Sequence, residues 1–340
     1  MSPQMIHKID FSGNLNPLEM PDGILRKVKL KSLIKTYPDY KNIKATDAIS
    51  RYYGIPVENI AVGVGSTEFF FAIPRALNFE RGIVTSPTFW EYEFSLNTTG
   101  KRVQFLERKE EEGFSINKNA LRNIISTRDA VYLCNPNNPT STLTRQEDIE
   151  EICSEFPKTT FVVDETYLLF RRDYERLSLM REATKRKNLV VVTSLSKFFS
   201  IPGARIGICS SSEENINAIK KQQIPYGVNP ISQAIIPLLF EEEAYIRESR
   251  RFMEDERKRV YDIARGNPHL KLNEPQASFI LLKVDDRNIY EYLNKRGIFV
   301  RSGREFPHLG KNYLRAAIRK SDENDRLFAT INDYFNSSPS

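Results

Sequence analysis

The sequence predicts an α/β fold: a mostly parallel sheet sandwiched by helices, with a smaller α+β domain. Strand-like apolar runs alternate with helical segments to about residue 210, and this alternation is typical of a parallel sheet covered on both faces. Helical segments then dominate to about residue 266, before three further strand-like runs and a final helix. We therefore expect an N-terminal arm that joins the small domain (residues 1–35), a large domain (36–235) and a small C-terminal domain (236–340).

The composition of the 340 residues, 40% hydrophobic and 28% charged, is ordinary for a soluble globular enzyme. The net charge is +6, but Lys and Arg are interspersed with Asp and Glu, which favours an anionic small substrate or plain surface solvation over nucleic acid. No apolar run approaches the roughly 18 residues that span a membrane, and residues 1–10 lack the apolar segment of a signal peptide. We therefore expect a cytoplasmic protein with no membrane partner. Its three cysteines and three histidines are scattered, which predicts neither a disulfide framework nor a metal site.

The chain starts with an arm that should be extended or turning. Residues 10–21 read DFSGNLNPLEMP, and two asparagines and two prolines in so short a stretch disfavour a helix. Another turn follows at residues 36–40. The helix after it carries Ala48, Ile49, Tyr52 and Tyr53 and is predicted to end at Gly54, a suitable C-cap.

The first strand, residues 60–62, runs into the glycine-rich turn GVGSTE and a helix over 69–77. Ser66 and Thr67 lie where this helix begins, and backbone N–H groups together with the helix dipole favour an anion there. The same pattern also describes an ordinary tight turn with an N-cap, so the turn alone does not separate the two interpretations.

Residues that suit ligand binding follow the next strands. Phe89 comes after the strand at 82–85, where it could stack on a flat ring or belong to the core. Asn138 lies in the dense turn NPNNPT after the strand at 130–134, and its amide could donate to a ligand oxygen. Asp164 follows the buried strand at 160–163 and needs a partner, either a protonated pyridine nitrogen or the next turn, which it would cap.

The stretch SLSKFFSIPGARIG, residues 194–207, places Lys197 in a hydroxyl-rich turn after an apolar strand, with Arg205 eight residues later. A deprotonated lysine amine can form a Schiff base with an aldehyde. Hydroxyls and an arginine beside it could hold a phosphate. Aldehyde plus phosphate describes pyridoxal 5'-phosphate (PLP). A solvated loop lysine is the alternative for Lys197 alone, but the other motifs, in their order, favour the cofactor.

Each candidate contact follows a strand, where open α/β sheets bind ligands. Together they resemble the fold-type I PLP-dependent enzymes, specifically the class I/II aminotransferase superfamily, over nearly the whole chain. Within it the sequence is most similar to the threonine-phosphate decarboxylases, which are themselves similar to the histidinol-phosphate aminotransferases. The motifs that carry this resemblance are DFSGNLNPLEMP, YPD, PTFWEY, CNPNNPT, LSKFFSIPGARIG, QQIPYGVN, GIFVRSG and NYLRAAIR, with Glu323 and Asn324 just beyond.

The resemblance implies a cofactor site of the PLP-transferase fold type I. Lys197 would bond to the cofactor aldehyde and would later transfer a proton during the reaction. Asp164 would pair with the pyridinium nitrogen, and Tyr167 would be the third catalytic residue. Tyr167 and Asn138 would hydrogen-bond the phenolic oxygen of the ring. Phe89 would stack on the ring face. The residues that would hold the cofactor phosphate are Ser66, Thr67, Ser194, Ser196 and Arg205.

The resemblance also implies the substrate contacts and the assembly. Arg315 would bind the substrate carboxylate, and Asn14 and Arg301 lie where other substrate contacts are expected. Tyr37 would reach the cofactor phosphate of a neighbouring subunit, which implies a homodimer with shared active sites. No metal is expected.

The predicted activity is that of a PLP-dependent enzyme acting at the α-carbon of a small, phosphorylated amino acid, as in a threonine-phosphate or serine-phosphate decarboxylase. The alternatives are a histidinol-phosphate-type aminotransferase and a specialised PLP enzyme of natural-product or phosphonate synthesis. A PLP-binding module without catalysis is disfavoured, because Lys197, Asp164 and Arg315 are all present.

Two departures from the decarboxylase pattern stand out. These decarboxylases usually carry an N-terminal HGGN segment that helps to recognise the substrate phosphate, whereas His7 here has no such context. Ser141 replaces the glycine that usually follows NNPT, which predicts a local change of turn.

Overall fold

The computed structural model describes residues 8–337. Its strands are β1 Ile9–Asp10, β2 Ile60–Val64, β3 Arg81–Ser86, β4 Arg102–Glu107, β5 Asp129–Cys134, β6 Thr160–Asp164, β7 Leu189–Ser194, β8 Ile206–Ser210, β9 Leu270–Lys271, β10 Phe279–Val284, β11 Ile298–Phe299, β12 Arg301–Ser302 and β13 Tyr313–Ala317. Its α-helices are α1 Gly23–Lys27, α2 Leu30–Leu33, α3 Ile43–Tyr53, α4 Gly65–Ala76, α5 Glu91–Thr98, α6 Lys118–Ile124, α7 Gln146–Glu155, α8 Tyr174–Leu177, α9 Met180–Ala183, α10 Leu195–Phe198, α11 Glu213–Lys220, α12 Pro230–Glu241, α13 Glu243–Arg265, α14 Ile289–Lys295 and α15 Ser321–Ser337. Short 3₁₀ turns cover Val57–Asn59, Glu110–Glu112, Leu168–Phe170, Pro202–Ala204 and Gly303–Glu305.

A seven-stranded sheet in the order β2-β8-β7-β6-β5-β3-β4 forms the centre of the molecule. Strands β3 to β7 are parallel to one another, and only the pairs that β8 makes with β7 and β2 are antiparallel. The predicted mostly parallel sheet is therefore confirmed.

Both faces of this sheet are buried, as its continuous apolar strands require. Side chains alternate along a strand, so Leu189 and Val191 enter one hydrophobic core while Val190 and Val192 enter a second core on the opposite face. A strand with two buried faces reads as an unbroken apolar run, which is why β7 could be recognised in the sequence.

A smaller antiparallel sheet, in the order β12-β13-β10-β9, is built from the C-terminal part of the chain. The arm reaches this part through the parallel pair β1-β11 and through the hydrogen bond from Ala317 N to Phe11 O. The two larger sheets use separate stretches of the chain. On this basis we propose the division into an arm (1–35), a large domain (36–235) and a small domain (236–340).

Some elements differ from the predicted ones. The strand predicted over 298–301 is two short strands interrupted at Val300, because β11 pairs with the arm whereas β12 pairs with β13. Lys197, predicted in a turn, lies in the short helix α10. Gly54 does cap α3, with a left-handed φ of 64° that glycine adopts freely. No helix within residues 8–337 is both long and apolar enough to cross a membrane.

The start of α4 packs closely against β8. A Cβ atom at Gly207 would lie 2.3 Å from the Gly65 carbonyl carbon and 2.5 Å from the Ser66 nitrogen, both backbone atoms that cannot rotate away. We expect Gly207→Ala to lower the free energy of unfolding by about 1–3 kcal/mol, the usual cost of overpacking. Urea denaturation measures this loss. Gly203→Ala is the control, because nothing lies within 4 Å of its added Cβ, and equal stability of the two variants would contradict the prediction.

Candidate active site

A cavity of about 290 Å³ opens where the carboxyl ends of the central strands meet the N-terminal arm. Of the residues predicted for the site, all except Tyr37 line it: Asn14, Ser66, Thr67, Phe89, Asn138, Asp164, Tyr167, Ser194, Ser196, Lys197, Arg205, Arg301 and Arg315. Their sequence positions span more than 300 residues, from Asn14 to Arg315. The fold therefore brings Lys197 and Asp164 to one place, as the chemistry of an amine and a ring-binding carboxylate requires.

Lys197 is held in place by its short helix and by the arm. Ser194 caps α10 by accepting the backbone N–H of Ser196, and the carbonyl of Lys197 accepts the backbone N–H of Asn16 at 3.0 Å. Burial is the main cause that lowers the pKa of the Lys197 ammonium, and the positive charges of Arg315, Arg205 and Arg301 lower it further. A larger fraction of the amine is therefore neutral, which is the nucleophilic form.

Asp164 ends β6 and is only 5% exposed. Its Oδ1 accepts the backbone N–H of Thr166 at 2.9 Å, and its Oδ2 accepts the hydroxyl of Tyr92 at 2.6 Å. Burial raises the pKa of this carboxyl, while the hydrogen bonds lower it. Asp164 therefore caps the next turn, which is one of its two predicted roles, and its position in the cavity lining leaves pairing with a ring nitrogen as a prediction.

The first turn of α4 and the Arg205 guanidinium meet at one end of the cavity. The first N–H groups of a helix have no intrahelical acceptor, and the Arg205 guanidinium lies beside them. A Cβ at Gly65 would lie 2.6 Å from Nη2 of Arg205, so only glycine, here at φ +75°, admits the guanidinium. This arrangement fits a phosphate group.

The hydroxyls predicted at this end are not equivalent. Thr67 donates its hydroxyl to Oε2 of Glu91 at 2.6 Å, and Ser194 donates to the carbonyl of Ile206 at 3.1 Å. The buried Oγ of Ser196 has no hydrogen-bond partner among the described residues. Ser196 therefore offers a buried hydroxyl that a ligand can bind, whereas Thr67 can offer its backbone N–H.

Arg315 is a buried cation at the opposite wall. It donates from Nη1 to Oδ1 of Asn138 at 2.7 Å and from Nη2 to the carbonyl of Ser12, and within residues 8–337 its buried Nε has no partner. Burial lowers its pKa to about 10, which leaves it charged at neutral pH. The groups bonded to it in the described chain are an amide and a carbonyl, so this buried charge is available to pair with an anion in the cavity.

Asn14 and Tyr167 form a second polar pair in the cavity. Asn14 donates from Nδ2 to the Tyr167 hydroxyl at 3.2 Å, and its buried Oδ1 has no partner in the described part of the chain. Burial raises the pKa of Tyr167 to about 12, so its hydroxyl stays protonated near neutral pH. Asn14 Oδ1 is available to accept a hydrogen bond from a ligand.

Two predicted residues are more exposed. Arg301 lies at the cavity edge and forms an ion pair with Glu305. Tyr37 lies outside the cavity and is 87% exposed, with its ring edge-on to Tyr226 at 6.1 Å.

The cavity also contains residues to which the sequence assigned no role. Glu91 and Cys134 lie inside the motifs PTFWEY and CNPNNPT, and Thr166 lies between Asp164 and Tyr167, so their positions in or beside the motifs were the available signal. The others are Ser12 and Gly13, in the arm.

Solved structures and sequence relatives match this chain over nearly its whole length. The histidinol-phosphate aminotransferase from Clostridium acetobutylicum superposes with a TM-score of 0.90 at 26% identity, covering 97% of this chain and all of that one. The threonine-phosphate decarboxylase of Salmonella typhimurium is 27% identical and covers 97% of this chain and 92% of its own length. The histidinol-phosphate aminotransferase of Thermococcus kodakarensis is 31% identical and covers 96% and 93%, respectively.

The sequence model of the family described as aminotransferase class I and II matches residues 6–331. That match covers both sheets and every residue that lines the cavity. The chain therefore belongs to the class I and II aminotransferases, a family of PLP-dependent enzymes.

Proposed function

We propose that this PLP-dependent enzyme removes the α-carboxyl group of a small O-phosphorylated amino acid such as threonine phosphate. The observation that carries the proposal is the buried, charged Arg315, which lines the cavity that holds Lys197 and is bonded to no carboxylate within residues 8–337. The anion that it lacks is supplied by an amino-acid carboxylate.

The residues present fit the cofactor. Ser196 Oγ, Arg205 and the first N–H groups of α4 would hold its phosphate, and Asp164 would accept from its ring nitrogen. An arginine can only donate hydrogen bonds, so Asn138 must turn its amide oxygen toward Arg315. The amide NH₂ of Asn138 would then be available to donate to the phenolic oxygen of the cofactor ring, which Tyr167 would also contact. Phe89 would cover one ring face.

The bound cofactor supplies an electron sink that weakens one bond at the substrate α-carbon. The chain supplies the orientation and the proton. Arg315 and Asn138 fix the carboxylate, Asn14 Oδ1 accepts from the substrate, and the neutral amine of Lys197 can take up or return a proton.

The names of two relatives, a threonine-phosphate decarboxylase and a histidinol-phosphate aminotransferase, support a phosphorylated substrate. A recess adjoins the main cavity and shares Ser12 and Arg301 with it. Its charged lining residues are Lys8 and Arg301 together with Asp10 and Glu305, and Arg301 is paired with Glu305. His7, which has no HGGN context, lies outside the described residues.

Transamination of histidinol phosphate is the second candidate. It is favoured by the Thermococcus kodakarensis relative and by the Clostridium acetobutylicum structure, which match this chain as fully as the decarboxylase does.

Incubation of the PLP-loaded protein with threonine phosphate, without any keto acid, distinguishes decarboxylation from transamination. The proposal expects release of CO₂ with repeated turnover. Formation of glutamate from histidinol phosphate and 2-oxoglutarate, with no CO₂ from threonine phosphate, would contradict it.

We also propose that two copies share their active sites, in the cytoplasm. Tyr37, Tyr40, Ile224 and Tyr226 form an exposed apolar group in which the Tyr37 and Tyr40 rings contact that of Tyr226. A second subunit would cover this group and place Tyr37 at the neighbouring cofactor phosphate.

A further inference from the structure

The buried side chain of Tyr92 connects helix α5 with the carboxylate of Asp164. Tyr92 is 1% exposed, and the rings of Phe70 and Phe89 pack edge-on against it, with centroids at 4.9 Å and 5.6 Å. Its hydroxyl donates to Oδ2 of Asp164 at 2.6 Å. The ring is therefore fixed, and with it the position of the donor.

The hydroxyl of Tyr92 acts only as a donor toward this carboxylate. Burial, and then the charge of Asp164, raise the pKa of Tyr92 well above its ordinary value, so the phenol keeps its proton. In the described chain each Asp164 oxygen receives one such bond, from Tyr92 or from the N–H of Thr166. A carboxylate oxygen has a second acceptor site, which remains for the ligand in the cavity.

We propose that Tyr92 is a positioning residue that keeps Asp164 ionised and aimed into the cavity, so that the ring nitrogen of the bound cofactor stays protonated. The inference rests on the proposed function, because it assigns Asp164 to that nitrogen.

Tyr92 would have this effect because the Asp164 carboxylate and the ring nitrogen of the cofactor compete for one proton. A hydrogen bond from Tyr92 makes the carboxylate a weaker base. Without that bond the proton moves to the carboxyl oxygen. The ring nitrogen is then neutral, and a neutral ring draws electrons from the α-carbon less strongly.

If Tyr92 served only in packing, removing its hydroxyl should have the same effect as removing the hydroxyl of another tyrosine in the same core. Tyr132 is the matched control for this comparison. Tyr132 is also 1% exposed, its ring lies 5.9 Å from that of Tyr92, and both belong to the same hydrophobic core. Its buried hydroxyl has no partner among residues 8–337. Tyr132→Phe therefore removes the same atom from the same core without touching Asp164.

The test is reconstitution of both variants with PLP labelled by ¹⁵N in the ring. In Tyr92→Phe we expect the ¹⁵N resonance to move toward the neutral-pyridine position, which Asp164→Asn marks, whereas Tyr132→Phe should match the wild type. We expect kcat of Tyr92→Phe to fall about 10- to 100-fold, as for one hydrogen bond to a charged group. KM should change little, because Tyr92 is not among the residues that line the cavity.

An unchanged resonance and kcat in Tyr92→Phe would overturn the inference, and so would equal changes in Tyr92→Phe and Tyr132→Phe. If Tyr92→Phe does not fold, 3-fluorotyrosine at position 92 strengthens the donor and should move the resonance the opposite way; no movement would again overturn it. A wild-type protein that does not attach PLP at Lys197 would instead overturn the proposed function.

Discussion

Replacing Lys197 with alanine should abolish turnover and the visible absorbance of the lysine-bound cofactor together. The side chain is the amine of the cavity, and its loss removes both the covalent attachment and the proton carrier. We expect the rate to fall by about 10³-fold or more, because nucleophilic and acid–base roles are lost at once. Absorbance spectra and CO₂ release measure the two effects.

The control for this change is Lys185→Ala, because the Lys185 side chain is 70% exposed, forms an ion pair with the nearby Glu182 and does not line the cavity. It should retain both the absorbance and the activity. A Lys197→Ala protein that kept the visible band would show that another amine carries the cofactor.

The pH dependence of cofactor attachment should follow the same amine. The neutral form of Lys197 is the reactive one, so the rate at which apo-protein attaches PLP should rise with pH through the Lys197 pKa. Because burial and Arg315 lower that pKa, the rise should centre below the ordinary lysine value of 10.5. Arg315→Leu removes the nearby charge that lowers the pKa most and should shift the rise to higher pH. A shift to lower pH would contradict this account.

Replacing Arg315 with lysine should separate substrate binding from cofactor binding. A lysine keeps the charge but cannot bond a carboxylate through two N–H groups or reach Asn138 with the same geometry. We expect kcat/KM to fall about 10²- to 10³-fold, the loss for a buried charge pair with poor geometry. The visible absorbance of the cofactor should remain.

Arg304→Lys is the matched control, because Arg304 is exposed and does not line the cavity. It should leave kcat/KM unchanged. Equal kinetics of the Arg315→Lys and wild-type proteins would show that the substrate carboxylate binds elsewhere.

Local patterns in the sequence were sufficient for most of the fold. The strands β5, β6 and β7 are recognisable because both of their faces are buried, and each ends within a few residues of its prediction. The break at Val300 could not be predicted, because it depends on which distant strands pair with each half.

Ser141 makes a long-range contact that its neighbours in the sequence do not indicate. A local change of turn was predicted here, but its φ of 57° lies in the left-handed region that favours glycine, so the backbone at this position is one that a glycine would adopt. Its side chain does more, since Oγ accepts the backbone N–H groups of Gln276 and Ala277 and so joins the turn after Asn138 to the chain that leads into β10. Nothing near Ser141 in the sequence indicates a contact 135 residues away.

By itself the sequence determined the mostly parallel sheet and the order in which Lys197, Asp164 and the other candidate residues follow its strands, because these come from periodicity and from motifs within a few residues. The roles expected of Arg301 and Arg315 came from the resemblance to a family. Only the tertiary structure decided which hydroxyls are already used, that Tyr92 holds Asp164 and that Arg315 is buried beside Asn138. The reason is that hydrogen bonds and desolvation depend on distances between residues far apart along the chain, and those distances exist only once it has folded.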